Sequence, residues 1–145
     1  MNRSLFSRRE TPDEVPSIIT DELRGRTVRI FALVGEAMTE ATVALLASDR
    51  ELAKSVVRQD DEIDRLVKSL IRDVETMLMA PVAPSVEDRQ QLLTLLRILP
   101  EIERNGDLAE HIARRAARGL GAEMSPRSRG LVERLGEVCT SIWRA

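Results

Sequence analysis

The chain has 145 residues, with 22 Lys+Arg against 24 Asp+Glu and a formal charge of −2. One cysteine and one histidine exclude an internal disulfide and a His-rich zinc site, and the slightly acidic balance gives no basic footprint for nucleic acid. With 43% hydrophobic residues, only Phe6, Phe31 and Trp143 aromatic, and Leu, Ala, Arg and Glu dominant, the composition predicts an all-α protein.

Residues 1–16 carry Pro12 and Pro16 without a sustained apolar period and read as a flexible lead-in. Their first ten residues carry charge, with no apolar stretch behind them, so no secretory signal is expected. No uninterrupted apolar run approaches the ~18–20 residues that span a bilayer. The chain therefore reads as soluble and cytoplasmic.

An amphipathic pattern begins at Ile18 or Thr20 and runs to about Ala47, with Leu23, Val28, Phe31, Val34, Met38, Ala41 and Leu45 as the expected buried stripe. Ser48 with Glu51 three residues later has the form of a capping box, and predicts a second helix from about Asp49 to Met79. Its expected apolar side is Leu52, Val56, Ile63, Leu66, Leu70, Val74 and Leu78. Pro81 and Pro84 end it, because proline lacks the amide hydrogen and disfavours helix in the preceding residue. Ser85 caps a third helix from about Val86 to Arg118, in which Pro100 is expected to cause a kink or a missing hydrogen bond. Gly119 and Gly121 supply its stop, and Ser125-Pro126 opens a fourth helix.

The fourth helix repeats the first. A shift of 101 residues places Arg127 on Arg26, Gly136 on Gly35, Glu137 on Glu36, Thr140 on Thr39 and Ala145 on Ala44. Residues 17–120 are thus expected to form an antiparallel three-helix bundle, and 125–145 the start of a second, incomplete repeat. Leu131, Leu135, Cys139, Ile142 and Trp143 are its expected apolar stripe, packing on the first bundle or on another chain. Cys139 reads as a small core residue.

Two segments carry candidate chemistry. Asp60 and Asp64 lie on one face of the second helix, and Glu103 and Asp107 on one face of the third. The short proline loop makes these helices antiparallel, and both pairs lie roughly 30 Å from it at ~1.5 Å per residue. Four converging carboxylates suit hard cations or iron-type centres. A solvated acidic patch is the other reading of the same residues. Gly106, costly inside a helix, points to a close approach there. His111 reads as a cap or surface contact, with a ligand role as the alternative. Arg97, Arg104, Arg114 and Arg115 read as a salt-bridged face, with phosphate attraction as the alternative.

Asp60-x-x-x-Asp64 and Glu103-x-x-x-Asp107 resemble the paired E(D)xxxD motifs of the PhoU family. The stretch GEAMTEATVALLASDRELAKSVVRQDDEID is similar to that family's first two helices. The resemblance covers about residues 20–120 plus the restart at Ser125. It implies two similar three-helix bundles, each with a carboxylate site for iron, zinc, manganese or magnesium. It also implies a non-enzymatic, cytoplasmic regulator of phosphate uptake that represses phosphate-starvation responses. The implied partners are the ATPase subunit of a phosphate ABC transporter, a sensor histidine kinase and a second copy in a homodimer, with membrane contact only through these partners. The competing readings are a metal-dependent hydrolase and an accessory domain of a phosphate cotransporter. No nucleophile–base pair or glycine-rich phosphate loop supports the hydrolase.

Overall fold

The structure is a computed structural model that describes residues 17–144, with side chains placed through Trp143. The expected lead-in over 1–16 and Ala145 lie outside the described residues. Among the described residues all regular structure is helical: α1 Asp21–Ala47, α2 Arg50–Leu78, α3 Val86–Ala117, a 3-10 turn Leu120–Glu123, and α4 Pro126–Arg144.

Each helix start is explained by its cap. The Thr20 hydroxyl accepts the Leu23 amide at 3.2 Å, and the Ser85 hydroxyl accepts the Asp88 amide at 3.0 Å. Ser125 accepts the Ser128 amide at 3.2 Å, with Pro126 in the first turn where no amide hydrogen is needed. The expected capping box at Ser48 does not form. Ser48 instead closes α1 in the left-handed region at φ 55, and Asp49 caps α2, accepting the amides of Glu51 and Leu52, each at 3.0 Å. Two adjacent residues thus end one helix and begin the next, which forces α1 and α2 into a tight antiparallel hairpin. Ser48 is the only non-glycine residue with positive φ among those described. Ser48→Gly is expected to raise the unfolding free energy by about 0.5–1 kcal/mol, read from urea midpoints at constant slope.

Pro100 does not break α3, which runs through it unbroken, and its neighbour Leu99 is fully buried. The core lies between α1, α2 and α3. It is built from Ile30 and Val34 of α1, Val56, Ile63, Val67, Leu70 and Val74 of α2, and Leu92, Leu99 and Ile102 of α3. Alanines Ala37, Ala41, Ala44, Ala53, Ala109, Ala113 and Ala116 are also buried and let the helices approach closely. Two members of the expected α1 stripe sit elsewhere. Val28 is 67% exposed, and Phe31 faces α4, stacking at a tilt on Trp143 with centroids 5.6 Å apart. By length and composition α1 is apolar enough to cross a membrane, a test that the core helix of a bundle also passes. The buried Asp88 ties the start of the described chain to α3, accepting from the Ser17 hydroxyl at 2.6 Å and the Ile18 amide at 3.1 Å.

Helix α4 packs back on α1, but not by the expected stripe. Leu131, Leu135 and Ile142 are exposed, whereas Cys139 and Trp143 are half-buried with Val132 on the neighbouring face. The sequence-based stripe had merged two faces. The α1–α4 contact is antiparallel and symmetric in the repeat. The Thr39 and Thr140 hydroxyls meet at 3.1 Å, Gly35 lies against Trp143, and Gly136 lies against Thr42. Under the 101-residue shift Thr39 is equivalent to Thr140, Gly35 to Gly136, and Thr42 to Trp143. Each contact is therefore matched by its counterpart across a local twofold.

Candidate metal centre

The carboxylate site follows from the α2–α3 register. Both helices leave the proline loop antiparallel, so residues equally distant from it lie side by side. Asp60, Asp64 and Asp107 each offer a carboxylate oxygen, and these oxygens all lie within 4.8 Å of one another. Asp60 and Asp64 are half-buried and Asp107 is exposed, so the cluster opens toward solvent from between the helices.

Glu103 does not join this trio directly. It stands about one turn along α3, where Lys68 Nζ bridges it at 3.6 Å and Asp64 at 2.5 Å. The ammonium of Lys68 thus occupies the edge of the site nearest Glu103. The hydrogen bond to Asp64 is the main reason the Lys68 ammonium titrates above its ordinary range.

Within the trio Lys68 neutralises Asp64 alone, and Asp60 is left facing like charges. Asp60 has its carboxyl pushed up to about 6, first by burial and then by the charges of Glu110, Asp107, Asp64 and Asp61. Glu110, one turn after Asp107 on α3, is an acid the sequence reading missed. Its side chain is only 13% exposed and it pairs with Arg114. Its spacing of three from Asp107 was the available signal. Glu62, inside the same acidic run, faces away, and its carboxylate takes Arg29 of α1 at 2.7 Å. Asp61 is exposed.

Gly106 explains how Asp60 reaches α3. A β-carbon at Gly106 would lie 3.4 Å from Asp60 Oδ1 and 3.4 Å from Ile63 Cγ2. The approach is close, yet at ordinary contact distance, so the glycine leaves room for a methyl. His111 is exposed on α3 and is not part of the trio. Among the cations read as a salt-bridged face, Arg114 is paired with Glu110.

Three aspartates from two helices, two of them half-buried and one carboxyl kept from full ionisation by burial and by its acidic neighbours, have the donor chemistry of a hard-cation site. A divalent ion would supply the positive charge that like-charged neighbours otherwise lack. All donors are oxygen, which suits magnesium, manganese or iron better than a thiolate- or imidazole-seeking ion.

Known proteins agree with this architecture. The PhoU domain family matches residues 27–116, which take in most of α1, all of α2, α3 up to Ala116, and every residue of the trio. A phosphate-specific transport system accessory protein PhoU homolog from Aquifex aeolicus is 35% identical over 96 residues, covering 66% of this chain and 43% of the relative. The homolog from Pseudomonas putida is 26% identical over 117 residues, covering 81% and 45%. PhoU homolog 2 of Mycobacterium tuberculosis is 33% identical over 97 residues, covering 67% and 45%. The chain spans less than half the length of these relatives. No solved structure matches it. The domain match takes in well over half of the sequence and coincides with the α1–α3 bundle and its carboxylates; the chain belongs to the PhoU family.

Proposed function

We propose that this chain is a non-enzymatic accessory regulator of phosphate transport that binds a cation between α2 and α3. The relatives carry the name of a phosphate-specific transport system accessory protein, and that role is transferred here as a proposal. The observation that carries the metal half of the reading is the Asp60–Asp64–Asp107 trio, with Asp60 destabilised as an anion. Iron, manganese, magnesium or zinc would be held by these three oxygens, and Glu103 becomes a fourth donor if Lys68 swings aside. The ion's role is to fix the α2–α3 surface, and no substrate chemistry is assigned to it.

The proposed site of action is the cytoplasm. There the helical faces contact the ATPase subunit of a phosphate ABC transporter and a sensor histidine kinase, lowering uptake and starvation signalling when phosphate is plentiful. A phosphate-starvation reporter tests this in the source organism. Deleting the gene should raise reporter output in high phosphate, and this chain should restore repression. The variant carrying Asp60→Ala, Asp64→Ala and Asp107→Ala should fail to do so at equal protein level. A reporter unchanged by the deletion would sink the regulatory role. Phosphatase activity that requires added cation and vanishes in the triple variant would favour the hydrolase.

A further inference from the structure

We propose that the groove between the start of α2 and the end of α3 binds a phosphate dianion, either free or as the terminal group of a phosphomonoester. Lys54 and Arg58 of α2 and Arg114 and Arg118 at the end of α3 line one cavity of about 360 Å³, together with Val57 and Ala117. That volume falls in the lower part of the ~300–1,000 Å³ range of small-ligand clefts. The α2–α3 register that gathers the carboxylates also gathers these cations. Each helix contributes two of them, four residues apart, and Lys54 stands level with Ala113 and Arg114.

The fold does not account for this cluster. Like charges four residues apart on a helix repel, and two such pairs share one groove. The helix macrodipole favours cations at the end of α3, where Arg114 and Arg118 lie. It disfavours them at the start of α2, where Arg50 opens the helix and Lys54 follows one turn later. Carboxylates compensate only in part. Glu51 takes Lys54 at 2.7 Å, and Glu110 takes Arg114. Arg58 and Arg118 make no ion pair with any described residue.

The ligand class follows from this balance. Lys54, Arg58, Arg114 and Arg118 against Glu51 and Glu110 leave a surplus of two positive charges, which a dianion matches. The two uncommitted groups are guanidiniums, one from each helix. Their planar donor forks fit the oxygens of a phosphate, and they stay charged at any pH at which the chain is folded. Among the described residues α4 packs on α1 and on neither α2 nor α3, so the groove lies away from the repeat contact. The charges of Asp60 and Asp61 reach Arg114, so the anion site adjoins the candidate cation site without sharing its donors.

The proposal goes beyond the regulatory reading and stands without it, because binding is measured on the chain alone. Calorimetric titration of the 145-residue chain in chelator should show saturable binding of inorganic phosphate or of adenosine monophosphate, with a dissociation constant on the order of 1 mM. Tighter binding of inorganic phosphate supports the free ion as the ligand, and tighter binding of the nucleotide supports a phosphomonoester. Arg58→Gln with Arg118→Gln should weaken binding of the preferred probe by ~10-fold or more. Helix content should be unchanged, since both side chains are exposed. Arg58→Lys with Arg118→Lys keeps the charge and should weaken binding less. Arg97→Gln with Arg104→Gln, exposed on α3 outside the groove, should leave it unchanged. No saturable binding of either probe overturns the proposal. An equal loss in the Arg97 and Arg104 variant also overturns it, because the attraction is then a diffuse charge effect. Binding that appears only when a divalent cation replaces the chelator overturns it too, because the anion then sits on the metal.

Discussion

Gly121→Ala is expected to lower the unfolding free energy by about 2–3 kcal/mol, the upper part of the range for overpacked sites. Gly121 is buried in the 3-10 turn that follows α3, pressed against the last turn of α1. An added β-carbon would collide with the Leu45 carbonyl oxygen, and would lie 3.0 Å from Ser48 Oγ and 3.1 Å from the Leu45 carbonyl carbon. Two of these obstacles are backbone, held by the tight α1–α2 junction, so no side-chain rotation relieves them. The cost spreads further. Gly121 O accepts Arg129 Nη2 at 2.8 Å, and the same guanidinium donates to the Leu46 carbonyl. Moving the turn would therefore loosen the anchor that starts α4. Urea unfolding should show a lower midpoint, and chymotrypsin should cut within α4 sooner. By contrast Gly106→Ala, whose methyl meets only ordinary contacts, should change stability by less than about 1 kcal/mol. Equal costs at the two glycines would refute the close-packing account of Gly121.

The different fates of sequence-based expectations follow from what each depended on. The α2–α3 register was legible because loop length and helical rise alone determine it, and Asp60 and Asp64 do meet Asp107. Glu103 lay beyond that reasoning, because a lysine one turn from Asp64 competes for the same carboxylates, and helical spacing does not say which way Lys68 leans. Glu110 was hidden by an expectation built on spacings of four. The cap at the α1–α2 junction failed for a related reason. Ser48 and Asp49 are both good caps, and only the geometry of two helices meeting head to tail decides which one takes the left-handed turn. In α4 the composition allowed two overlapping apolar stripes. The symmetric contact through Thr39 and Thr140 decided between them, and a periodicity argument contains no information about that contact.

The chain without added metal is expected to be more stable at pH 5 than at pH 7, and a divalent cation should reverse that order. Asp60 holds its proton up to about 6 in the folded chain, above the ordinary aspartate range that it has when unfolded. Between those two values the folded state binds more proton than the unfolded state, so unfolding free energy falls as pH rises. The contribution of Asp60 is thus fully present below about pH 4 and lost by about pH 6 to 7. Solvent screening of this partly exposed group holds the difference to about 1 kcal/mol. A cation binds the deprotonated trio and competes with that proton, so its stabilisation grows over the same interval. At about one hundred times its dissociation constant it adds about 2.7 kcal/mol. Melting curves at pH 5 and 7, with chelator and then with manganese, should therefore cross. Asp60→Asn should flatten the chelator curve, because the group that titrates is gone. Asp64→Ala with Asp107→Ala should remove the response to manganese and weaken the pH dependence of Asp60, since two of the charges that raise its pKa are lost while burial and Glu110 remain. If manganese raises the melting point of that double variant as much as it raises the unsubstituted chain, the ion binds elsewhere and the trio is only a strained acidic surface.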